Sequence, residues 1–131
     1  DSGFDEIRDK ALMGEKTRVN KLLSQTEILN EEVYFYLNIL NQRVMRLYEI
    51  IKKSDGKNNY EQMLENLRPP IFWKDKPIIT QQLKKWNKKK LEETLIKIGE
   101  TEVLMKKNSY LKNDIVIKDL VINLTNKASI S

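Results

Sequence analysis

The chain has 131 residues, 40% apolar and 33% charged, with a formal charge of +5 and neither cysteine nor histidine. That length suits one compact core rather than two, and the missing residue types exclude disulfides, thiolate metal sites, thiol redox chemistry and the usual general base near neutral pH. No apolar run approaches the roughly 20 residues needed to cross a bilayer, the opening Asp1-Ser2-Gly3 is not a signal peptide, and the missing initiator methionine marks the chain as an expected piece of a longer one.

In chain order, Phe4, Ile7 and Ala11 fall at helical spacing, Gly14 interrupts, and Val19, Leu22 and Leu23 mark a second short helix, which predicts an N-terminal helical pair over residues 1–28. The strongest signal follows. Val33, Leu37, Leu40, Val44, Leu47 and Ile51 are spaced alternately by four and three residues, a narrow apolar seam on one long helix over about residues 30–53. Ser54-Asp55-Gly56 should end it, with the glycine as C-terminal cap. Asn58 or Asn59 can then cap a short helix carrying Tyr60, Met63, Leu64 and Leu67, so that residues 30–66 hold one long and one short helix.

Leu67-Arg68-Pro69-Pro70-Ile71-Phe72-Trp73-Lys74-Asp75-Lys76-Pro77 contains all three prolines and reads as an ordered elbow between two helical halves. Phe72 and Trp73 are expected to plug it, with at least one of them buried. Over residues 78–127, Ile79, Leu83 and Trp86 predict a helix with Trp86 in the core. Asn87 is a candidate restart, the alternative being a helix that runs straight through, and Leu91, Leu95, Ile98 and Met105 define a second long helix with Glu102 on its inner face. Residues 108–112 read as a loop. The last helix, over 115–124, is apolar around most of its circumference and expected to be buried. No segment alternates with a period of two, so the fold class is all-α, a single bundle of about seven helices.

The basic excess is local. The 19 lysines against five arginines, with many Asn and Ile, match a genome rich in A and T, which discounts the global charge. Residues 74–90, however, carry seven lysines and one acid, leaving the rest of the chain at −1. If a helix begins at Asn87, Lys88, Lys89 and Lys90 occupy a first turn where the helix dipole already disfavours cations, a conflict that a phosphate would relieve. With Lys84 and Lys85 they form a candidate nucleic-acid surface; the bland alternative is solvated lysine on a helix running straight through. Trp73, between Arg68, Lys74 and Lys76, is either a platform for a base or an anchor of the elbow. Tyr110, near Lys106, Lys107 and Lys112, raises the same choice. Tyr34, Tyr36, Arg43 and Arg46 are candidates for a subunit interface, because aromatic residues and arginine are enriched there. No catalytic group, metal site or cofactor site is found, and the four isolated glycines make no phosphate loop.

Taken in order, Asp9-Lys10-Ala11-Leu12-Met13-Gly14, Arg43-Val44-Met45-Arg46-Leu47, the proline elbow with Gln82, Leu83 and Trp86 beyond it, and Thr101-Glu102-Val103-Leu104-Met105-Lys106 resemble one family across nearly the whole chain. They are similar to the C-terminal domain of the delta subunit of the bacterial DNA polymerase III clamp loader, its alpha-proteobacterial versions especially. The resemblance implies a helical collar domain without an active site, assembling with gamma or tau and delta-prime subunits and helping to hold primer-template DNA. Sliding-clamp contact would belong to a separate N-terminal domain, and the location would be the bacterial cytoplasm, at the replisome. By position, Trp73 would be an elbow aromatic near the DNA path and Tyr110 a loop aromatic where the template strand leaves the duplex. The lysine cluster rests on local grounds alone. The other reading is a free-standing helical nucleic-acid-binding or adaptor module.

Overall fold

A computed structural model describes residues 2–57, 59–108 and 112–130. Among these the chain forms seven α-helices and no strand: α1 (Ser2–Leu12), α2 (Lys16–Gln25), α3 (Val33–Ser54), α4 (Tyr60–Glu65), α5 (Lys76–Leu83), α6 (Lys88–Lys107) and α7 (Asn113–Ser129). A 3-10 turn, Asn30–Glu32, leads into α3. The all-helical bundle anticipated from periodicity is therefore present.

The long helix α3 is the axis, packed on α6, α7, α1, α4 and α5. Val33, Leu37, Leu40, Val44 and Leu47 are buried as the seam requires, each worth about 1.5–3 kcal/mol in removed apolar surface. The seam then continues on Ile50, with Ile51 only partly buried, and Tyr36 joins it. At a true period of 3.6 a strict three-four alternation drifts by about 20° per heptad, and the three-residue step from Leu47 to Ile50 carries the buried face further round in the same direction. The helix ends on two successive left-handed residues, Asp55 (φ 49°) and Gly56 (φ 83°).

Helix α7 is one-sided rather than buried all round. Ile117, Leu120, Val121, Leu124, Thr125 and Ala128 face inward, while Ile115 and Ile122 lie on the outer surface. The turn between α1 and α2 docks on its far end: Gly14 has φ 74°, and a Cβ there would sit 2.9 Å from the Ser129 backbone nitrogen. Only glycine meets both conditions.

Polar groups fix the second half of the chain to the first. Gln82 is fully buried; its Nε2 donates to the Asp9 carbonyl (3.1 Å) and its Oε1 accepts from Arg43 (3.2 Å), which also donates to the Asp9 carboxylate (3.1 Å). Trp86 is in the core as anticipated, its Nε1 donating to the Leu12 carbonyl at 2.9 Å. The elbow is shorter than its prolines imply, since α5 already starts at Lys76 with Pro77 in its first turn, where a missing N–H leaves no hydrogen bond unmade.

A candidate nucleic-acid and assembly surface

The end of the elbow is a tight turn, closed by hydrogen bonds from the Asp75 N–H to the Phe72 carbonyl (2.9 Å) and from the Lys76 N–H to the Trp73 carbonyl (3.4 Å). This turn pushes both rings outward. Phe72 is 57% and Trp73 67% exposed, which overturns the expectation that they plug the elbow. Leu67 is buried and Ile71 packs on the core in their place, while Arg46 donates to the Pro69 carbonyl at 2.6 Å. The two rings lean on each other at 5.9 Å and 54°, and the Lys74 ammonium lies 5.4 Å from the Trp73 centroid. A large aromatic surface is thus held in water by local geometry, with a cation beside it.

The helix restart at Asn87 is real. Asn87 has extended backbone, and its side-chain oxygen accepts from the Lys90 N–H at 2.8 Å. No acid stands in the first turn of α6. Lys84, Lys85, Lys88 and Lys89 are exposed, and among the described residues none of them is in an ion pair. Lys90 differs from them. Its ammonium donates to the carbonyls of Lys85 and Ile130, both at 2.8 Å, and lies over the Trp86 ring. Burial, then Lys127 and Lys85, lower its pKa. Lys90 is therefore a bolt between the turn before α6 and the end of α7, not a free phosphate ligand. Lys76 is likewise engaged, by Glu65 at 3.1 Å.

Of the four interface candidates, Tyr34 alone stands outside, with Lys106 5.9 Å over its ring. Tyr36 is 3% exposed, stacked on Phe4 at 4.4 Å with its hydroxyl donating to Glu32. Arg43 is sealed in the Asp9–Gln82 knot, where burial and the neighbouring Arg8 lower its pKa against the pull of Asp9. Arg46 is held to the elbow. Both Tyr36 and Arg43 lie within about 60° of the seam's centre, so their polar tips turn back onto their own bundle rather than toward a partner. Glu102 is not inward either: it sits at the rim of α6 and pairs with Lys106 at 2.9 Å, because the buried stripe runs through Thr94, Ile98, Thr101 and Met105. Tyr110 lies outside the described residues.

One surface escaped the sequence reading. On the outer side of α3 and α6, Tyr34, Met45, Ile96 and Val103 are all exposed, and between them Tyr34, Leu37, Asn38, Asn41, Leu95, Ile98, Gly99 and Glu102 line a groove of about 290 Å³. Ile96 and Val103 are seven residues apart and out of phase with Leu91, Ile98 and Met105, which was the available signal. Among the described residues, no group of three or more carboxylates is placed to hold a metal ion, and no helix is long and apolar enough to cross a membrane.

Comparisons with protein-family models, with curated proteins and with solved structures give no match.

Proposed function

We propose that this chain is a non-catalytic collar domain of a clamp-loader delta subunit, a helical scaffold that assembles with gamma or tau and delta-prime subunits and helps to hold primer-template DNA during bacterial replication. The observation that carries this reading is one small helical body bearing two unlike surfaces: the weakly charged groove between α3 and α6, flanked by Tyr34, Met45, Ile96 and Val103, and the elbow displaying Trp73 beside Lys74. Interface cores are depleted in charge and enriched in aromatic residues and methionine, which fits the first surface. Exposed aromatics with cations nearby are the means by which bases and phosphates are held together, which fits the second. The order of the Arg43–Leu47, elbow and Thr101–Lys106 motifs adds the family-level support. In this assignment Tyr36 and Arg43 build the fold, and Tyr34 is retained for assembly.

The test is size-exclusion with light scattering of the chain mixed with gamma or tau and delta-prime subunits, at low and high salt. A complex that persists at high salt is the expected result. If the chain ignores those subunits yet binds nucleic acid by itself, the collar assignment fails and a free-standing nucleic-acid module replaces it.

A further inference from the structure

The lysines that follow α5 do not stand alone. Helices α3 and α6 run antiparallel, and the Tyr48 hydroxyl donates to Glu92 across them at 3.0 Å. Lys52 is one turn beyond Tyr48 on α3, and Lys88 is one turn before Glu92 on α6. Because the helices are antiparallel, both steps lead to the same end of the bundle. Lys53 is next to Lys52, while the Lys90 bond to the Lys85 carbonyl keeps Lys84 and Lys85 at that end as well. All six of these lysines, at positions 52, 53, 84, 85, 88 and 89, are exposed, and none is in an ion pair among the described residues.

Carboxylates also stand near them, none in an ion pair among the described residues: Glu49 one helical turn before Lys52 and Lys53, Asp55 just after them, Glu61 lining a pocket with Lys84, and Glu92, which accepts from Tyr48. Glu93 is paired with Lys127 at 2.8 Å, so the six lysines outnumber the four unpaired carboxylates. The opposite end is mixed in sign. There Phe4 stacks on Tyr36 and brings the start of α1 to the start of α3, so Asp5, Glu31 and Glu32 stand with Lys106 and Lys107.

We propose that Lys52 and Lys53 of α3 join the lysines around the α5–α6 turn in one basic end that holds the phosphate backbone of duplex DNA. The choice of DNA rests on the function proposed above; the joining of the two lysine groups rests on the Tyr48–Glu92 contact. Duplex is favoured over single strand because the rings beside these six cations are engaged by the protein itself: Tyr48 is half-buried with its hydroxyl on Glu92. Trp86, the aromatic of the turn, is buried, with its N–H on Leu12 and Lys90 over its face. Cations without a stacking platform recognise phosphates and not bases. Ile130, held to this end by the Lys90 ammonium, is exposed, but a single aliphatic side chain is less than the apolar face that inserts into a membrane surface.

The experiment is fluorescence anisotropy of the chain with a labelled 20-base-pair duplex between 50 and 200 mM salt. Each lysine bound to phosphate contributes about 0.9 to the slope of log K against log salt. The double variant Lys52→Gln/Lys53→Gln should therefore make the slope shallower by about 1.8, with unchanged helicity by circular dichroism. Lys97→Gln/Lys118→Gln, which removes the same charge from the flank formed by α6 and α7, should leave the slope near that of the parent. An equal loss in both variants, an unchanged slope in the first, tighter binding to a single strand than to the duplex, or equal binding to phosphatidylserine vesicles would each overturn the proposal. Assembly with gamma or tau and delta-prime subunits, measured on the same variants, separates the two failures: a chain that joins the collar but shows no Lys52 and Lys53 dependence loses this inference and keeps the function.

Discussion

Trp73 and Arg43 show how local backbone and arriving neighbours decide whether a side chain faces solvent or its own core. The Phe72–Asp75 hydrogen bond leaves Trp73 67% exposed, so little packing is lost with its ring. Trp73→Ala should change stability by less than about 0.5 kcal/mol in thermal melts. In a reconstituted loader the same variant should weaken primed-DNA binding by about 1–3 kcal/mol. A fall in melting temperature with DNA affinity intact would make the ring a structural prop after all. Arg43 behaves oppositely. Asp9→Ala removes the ion-pair partner of this largely buried guanidinium and leaves it the more distant Asp75 and Asp5, and urea denaturation should register a loss of about 3 kcal/mol. The residue types at both positions were readable in the sequence, but their direction was not. Periodicity places Arg43 near the seam, yet only the arrival of Asp9 and Gln82 from α1 and α5 decides that its charge is satisfied internally.

At the level of elements, the pattern of apolar residues was sufficient to locate the helices, because burial on one stripe repeats at a period that α3 and α6 obey. The restart at Asn87 was one of two readings of this stretch, and the fit of the Asn87 side chain to the free N–H of Lys90 is what selects it over a continuous helix. The α3–α6 groove was not legible, since it is made by residues from opposite ends of two helices that meet only after folding. Gly99 lies on its lining within α6, and a Cβ added there would meet nothing within 4 Å. Glycine inside a helix costs about 0.5–1 kcal/mol relative to alanine. Gly99→Ala should thus raise the denaturation midpoint of the isolated chain by a corresponding amount. If the same variant also fails to join the gamma or tau and delta-prime subunits, the bare backbone at Gly99 is where a partner comes closest. Full assembly would move the partner surface elsewhere.

Two buried hydrogen-bonding side chains reinforce the broad packing between the two sequence halves: Gln82 and Trp86 reach back to Asp9 and Leu12, 73 and 74 residues earlier in the chain. Docking of α5 is therefore coupled to completion of the core around α1 and α3. The two tryptophans sit on either side of that coupling. Trp86 is enclosed and hydrogen-bonded, whereas Trp73 stands in solvent on the elbow. They divide the intrinsic emission of the chain into a blue-shifted component that follows closure of the interior and a red-shifted one that responds to whatever touches the surface. The bundle thus contains two optical probes, one for its own integrity and one for its encounters.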